Sequence, residues 1–251
     1  MDTRFVCFPV KIIGLLLTLT LTIFGCQWLP ATTSIATTPN RQPDESRFYP
    51  LQPGWFVVYA VTQTQYRPNQ QPVTTLFQRK ERVGVAFNDA AGQTAFRIER
   101  FRRAGDALPW LADSVWSARW QNNQLIRTEN GIATLALVLP VYDQSRWNPN
   151  PYNSGATDPP GAVTSFYEIS HANQPLTLGG FEFAASVRVQ QQADSTLLGQ
   201  TKRNEIYAFG VGMVYKEWVQ LRFCTATDCL GKARIVTGTR QQEQILYYGL
   251  E

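Results

Sequence analysis

The 251-residue chain has one histidine, His171, and four cysteines. One histidine cannot build an H-E-x-x-H helix or a usual zinc site, so the sequence implies no metal. There is no G-x-S-x-G either, which removes the serine elbow of the α/β-hydrolases. Charged residues are scarce at 17%, and the formal net charge of +4 is spread out. Its densest run is Arg97, Arg100, Arg102 and Arg103. Basic clusters can mark nucleic-acid partners, but these arginines fall in an alternating pattern and read as a solvated sheet face. No apolar run reaches the about 20 residues that a membrane-spanning helix needs. No stretch sustains a helical stripe.

The longest apolar run is Ile12 to Phe24, preceded by Arg4 and Lys11. A basic start, a short apolar middle and a small residue at the end make the layout of a secretory signal peptide. Its end, Ile23-Phe24-Gly25-Cys26, resembles the lipobox of bacterial lipoproteins. In that family a diacylglyceryl group is attached to the cysteine thiol and the leader is cut just before it. Ile23 and Gly25 match the pattern, whereas Phe24 stands where a small residue is usual. The resemblance implies a leader over 1–25 and lipidation of Cys26. Several acyl chains together hold a protein firmly to a bilayer, where one does not. Residues 27–46, QWLPATTSIATTPNRQPDES, have few apolar groups to bury and read as a disordered tether. Such a coil spans roughly 25 Å.

From Arg47 to Glu251 the chain is long enough for one domain with a real core and short for two. Its period is two almost throughout. In SVWSARWQ, Trp116, Ala118 and Trp120 alternate with Ser117, Arg119 and Gln121; GFEFAASVRVQQQ sets Phe181, Phe183, Ala185, Val187 and Val189 on one face. Side chains alternate across a strand, so these are strands with one apolar face. WFVVYAV, IATLALVL and MVYKEWVQLRF are rich in β-branched and aromatic residues and read as more deeply buried strands. Pro53-Gly54, Asn122-Asn123, Asn130-Gly131 and Gly179-Gly180 break them at short intervals. About ten strands in meander order follow. The expected fold is all-β: a single antiparallel meander sheet curled into a barrel or half-barrel, with a two-sheet β-sandwich as the alternative.

Cys7 lies within the leader, which leaves Cys224 and Cys229 in RFCTATDCLG. Four intervening residues suit a bridge across a hairpin end in an oxidising compartment, with free thiols the other possibility. A proline- and asparagine-rich segment, 141–161, is long for a hairpin loop. It contains Asp143, Arg146, Trp147 and Tyr152. It reads either as a loop pinned to the sheet by its aromatics or as a ligand- or partner-binding loop. Gly210 and Gly212 form a G-x-G, but a strand follows them, so the pair reads as a tight bend. Glu217 shares parity with Met213, Tyr215, Val219 and Leu221, which would put a carboxylate on an apolar face unless an arginine or the barrel mouth receives it. Glu168 also lies in a strand-like run. Paired carboxylates could serve glycoside hydrolysis, but no pair is defined by sequence.

The blocks FYPLQPGWFVVY, GQTAFRIERFRR, VWSARW, IRTENG, RWNPNPYN, QQADSTLLGQ and NEIYAFGVGMVYKEW resemble, in the same order, a group of uncharacterised lipoproteins from Bacteroidota of the Cytophaga type. The likeness spans nearly the whole mature domain and implies an envelope location, but it carries over no catalytic residue and no cofactor. Surface-exported lipoproteins of that phylum often carry an acidic cluster after the lipidated cysteine. None follows Cys26, so the resemblance favours the periplasmic face of the outer membrane. The expected function is that of a monomeric, membrane-anchored protein that is not an enzyme. Its aromatic-rich barrel would hold a small apolar or amphipathic ligand. The alternatives are a protein-interaction or structural module of an envelope assembly and, last, a glycan-acting hydrolase.

Overall fold

The computed structural model describes residues 44–152 and 166–251. The expected leader, Cys26, the expected tether up to residue 43 and positions 153–165 of the long segment lie outside the described residues. Residues Gln42–Glu251 group as one compact unit. A 3-10 turn, Glu45–Phe48, precedes twelve strands. The first run is β1 (Trp55–Tyr66), β2 (Val73–Asn88), β3 (Thr94–Arg103), β4 (Leu111–Gln121), β5 (Gln124–Glu129) and β6 (Ile132–Val138). The second is β7 (Arg146–Trp147), β8 (Tyr167–Leu178), β9 (Phe181–Ser195), β10 (Gly199–Ala208), β11 (Gly212–Phe223) and β12 (Ile235–Leu250).

All twelve belong to one sheet, ordered β6-β5-β4-β3-β2-β1-β12-β11-β10-β9-β8-β7. Consecutive strands pair antiparallel within β1–β6 and within β7–β12, and β1 pairs antiparallel with β12 at the centre. The single antiparallel meander predicted from sequence is therefore present, and the sandwich is not. The edges β6 and β7 nearly meet. Leu135 N donates to Pro149 O at 2.8 Å, and Trp147 Nε1 donates to Leu135 O at 2.8 Å. These two bonds satisfy edge groups that an open sheet would leave to solvent.

The curl has a local cause. Extra residues interrupt most pairings: Leu246 opposite β1, Val214 opposite β10, Gln191 opposite β10, Asp113 opposite β3 and Ala136 opposite β5. A bulge bends its strand and increases the right-handed twist. The turns follow the expected chemistry. Asn122 and Asn123 take φ of 50° and 62°, as a two-residue hairpin turn requires. His171, at φ 69°, is an exposed bulge residue of β8.

One end of the barrel is plugged from within. Phe48, which ends the 3-10 turn, and Tyr49, which follows it, are buried, and Phe48 meets Phe209 edge-on at 5.5 Å. Trp120 Nε1 donates to Tyr49 O at 3.0 Å, and Gly210 N to Arg47 O at 2.9 Å. At the opposite end, the β11–β12 connection carries the disulfide Cys224–Cys229, with a Cα separation of 5.8 Å.

Candidate functional site: a charged layer inside the barrel

The inward positions of a small barrel are normally apolar, and near the plugged end they are: Val57, Tyr59, Val83, Ile98, Leu125, Val187, Met213 and Ile245 pack together there. Farther along, the inward parity of the same strands falls on charged residues. Strand β2 supplies Arg79 and Glu81, β3 Arg100, β5 Arg127 and Glu129, β10 Glu205, β11 Lys216, and β12 Glu243. Each acid meets a base. Arg79 binds Glu243. Arg100 Nε donates to Glu81 Oε1 at 2.9 Å. Arg127 Nη1 lies 3.1 Å from Glu205 Oε2, and Lys216 Nζ lies 3.0 Å from Glu205 Oε1. Arg127 also binds Glu129, and the Tyr207 hydroxyl donates to Glu205. Strands β5 and β10 lie in opposite halves of the sheet order, so the Arg127–Glu205 pair is a tie across the interior.

Trp116 sits among the cations. The Arg100 guanidinium carbon lies 3.5 Å from its ring centre, with Arg127 at 5.9 Å and Lys216 Nζ at 5.8 Å. An indole face attracts cations, and more so away from water.

The electrostatics follow from the pairing. Burial alone would raise Glu205, but Arg127 and Lys216 outweigh it and hold the carboxyl well below its ordinary range, at about 2. Burial alone would lower Lys216, but Glu129 and Glu205 outweigh it and raise the ammonium above its ordinary value. Burial raises Tyr59 and Tyr207 far above the usual phenol range, so both stay neutral donors. A carboxyl driven down in this way is the reverse of a general acid, whose value is raised toward neutrality.

The arginine run is thereby corrected. Arg97 and Arg102 are exposed, but Arg100 is buried against Glu81 rather than lying on a solvated face. Glu217 keeps its expected neighbours Tyr215, Val219 and Leu221 and is parted only from Met213, but their shared face is the outer one. The bulge at Val214 reverses the parity of β11, so Lys216 points inward and Glu217 outward. There it meets Lys202 at 2.8 Å and Asn204 at 3.3 Å. Glu168 pairs with Arg146 at 3.3 Å on the surface.

The four loop residues do not converge. Asp143 Oδ1 accepts from Ala172 N at 2.7 Å. Arg146 is exposed over Phe166, 5.0 Å from its ring centre. Trp147 is buried against the β6 edge and meets Tyr167 edge-on at 6.1 Å. The Tyr152 hydroxyl donates to Gln124 Oε1 at 2.5 Å. Asp143 and Arg146 tie the segment to β8, Trp147 to β8 and β6, and Tyr152 to β5.

The interior holds little space. The opening beside Tyr49, Trp55, Tyr59, Glu81 and Met213 measures ≈ 30 Å³, room for a water or two. Small-molecule sites run from about 300 Å³ upward. This opening is too small for the small ligand expected from the sequence. A second opening, ≈ 330 Å³, lies outside the barrel between the β9–β10 turn and the disulfide loop. Asp228 stands near Cys224 and Cys229, but the sulfurs are bonded to each other, so this trio is not a metal site.

No family model matches the chain, and no curated protein matches it. Among solved structures it is similar to a Bacteroides fragilis protein with a YmcC-like fold, provisionally described as exported. The two are 11% identical, the match covers 80% of this chain and 98% of the other, and the TM-score is 0.39. At that score the likeness carries no argument about activity or location. The architecture defines the class: among the described residues, a nearly closed, twelve-stranded antiparallel barrel whose interior charges are paired.

Proposed function

We propose that the protein is a non-catalytic lipoprotein of the cell envelope, tethered through Cys26, that serves as an interaction or structural module. The observation that carries the non-catalytic reading is the pairing of the interior charges. Glu81, Glu129, Glu205 and Glu243 each have a cationic partner, and no open cleft gives a substrate access to them among the described residues. The filled core favours a partner at the surface over a ligand in the lumen.

Chain entering at Asp44 reaches the barrel at the end closed by Phe48 and Tyr49. The location proposed is the periplasmic face of the outer membrane.

The test is fractionation of the native chain against Cys26→Ser. The substitution is expected to move the protein from the membrane pellet to the soluble envelope fraction. Pelleting unchanged would refute the tether. Native purification with mass spectrometry of co-purifying material tests the module: recovery of a bare monomer would count against it.

A further inference from the structure

The groove outside the barrel is built, not incidental. Its floor is Leu221, Phe223 and Ile235, and Leu197 and Arg240 border it. Its walls are fixed by backbone. Phe223 N donates to Leu198 O at 2.8 Å, and Cys224 N to Arg234 O at 2.8 Å. The Cys224–Cys229 bond clamps the loop that forms one wall. Beneath it the β11 and β12 backbones approach so closely at Gly238, with φ 138°, that any Cβ there would collide with Gln220 O. Such a groove is largely formed before anything binds.

Two features of this rigid surface lack a counterpart within the chain. Leu197 and Leu198 are 63% and 59% exposed at the rim. Arg240 has no hydrogen-bond or ion-pair partner among the described residues; Lys216, Glu217 and Glu243 on the same two strands are paired, whereas Arg222 is not. An apolar floor takes an apolar body, and a free guanidinium takes a carboxylate through two parallel hydrogen bonds. A volume of ≈ 330 Å³ equals about eleven waters at ~30 Å³ each, which suits a ligand of roughly ten heavy atoms.

We propose that this groove binds a small anionic amphiphile, a carboxylate on a short hydrocarbon chain, with the carboxylate on Arg240 and the chain along Leu221, Phe223 and Ile235. The site goes beyond the envelope role above and does not depend on the tether.

The test uses the full chain carrying Cys26→Ser, with isotope-labelled leucine and isoleucine methyls, titrated with sodium octanoate and separately with 1-octanol. Octanoate is expected to give saturable shifts at Leu197, Leu221 and Ile235. Arg240→Gln is expected to weaken octanoate about tenfold, as loss of a charge-assisted contact does, and to leave 1-octanol unchanged. Arg240 is exposed, so this variant retains the fold. Ser195→Trp, which places a ring in the groove, is expected to abolish both shifts. Absence of saturable shifts at these methyls overturns the proposal, and so does octanoate binding unaffected by Arg240→Gln.

Discussion

Glu205 lies between Arg127 and Lys216 with almost no exposure, and its charge is tolerable only because both cations are present. Removing one member of a buried pair costs about 3–5 kcal/mol, because the survivor stays desolvated. Glu205→Gln should therefore lower the stability measured by urea unfolding at pH 7 by about 3 kcal/mol. The pH dependence has a definite sign. The folded-state value, about 2, lies below the ordinary 4.5, so this group's contribution is present above 4.5 and is lost as pH falls toward 2. Native protein and Glu205→Gln should differ most near neutrality and converge in acid. A gap that holds constant from pH 7 to pH 3 would show that Glu205 is not ionised in the fold. Trp147 offers a second test at this scale. Its indole N–H is a partner of Leu135 O on the β6 edge. Trp147→Phe should cost about 1–3 kcal/mol and speed hydrogen exchange at the Leu135 amide, which bonds Pro149 across the same seam.

Among the elements, β11 and β12 show how far backbone detail governs the outcome. One extra residue at Val214 decides that Lys216, and not Glu217, enters the barrel. A second, Val236, lies where β12 passes under the disulfide loop. Gly238 is required there by both its φ of 138° and its contact with the β11 backbone. Gly238→Ala should lower thermal stability by about 1–3 kcal/mol, the usual cost of a strained backbone position, and should split the β11–β12 register. The disulfide contributes a comparable amount. Its loop is short, and the chain-entropy account gives about 2 kcal/mol for so small a ring. Reduction should lower the melting temperature by a few degrees without unfolding the barrel. Unfolding on reduction at room temperature would mean that the loop, and not the sheet, carries the stability.

As a whole, the molecule is closed by its most distant parts. β1 and β12 lie at opposite ends of the described chain yet pair in register from Trp55↔Leu250 to Tyr66↔Gly238. Neither run of hairpins has its central neighbour until that pairing forms. Unfolding should therefore be a single transition, with far-ultraviolet dichroism and tryptophan fluorescence coincident. Two separated transitions would show that the halves are stable alone. Folding should be slow for the chain's size, since closing this pair requires bringing far-separated segments together first.

The sequence by itself determined the fold class, the meander order and most turn positions. Alternation in β4 and β9, and left-handed residues such as Asn122 and Asn123, act locally, and local geometry is what a period of two reports. The disulfide was legible as one of two options from spacing alone. The tertiary structure decided which alternating residues face inward once bulges intervene. Parity is a running count, and one extra residue inverts everything after it, as Lys216 and Glu217 show. It decided also that Arg100 and Arg127 are core residues: their partners Glu81 and Glu205 lie 19 and 78 positions away, and only the curl of the sheet brings Glu205 to Arg127. Whether the barrel was hollow could not be read from composition either. The same tryptophans and tyrosines line a cavity or fill it, and the difference is set by how tightly opposite walls approach.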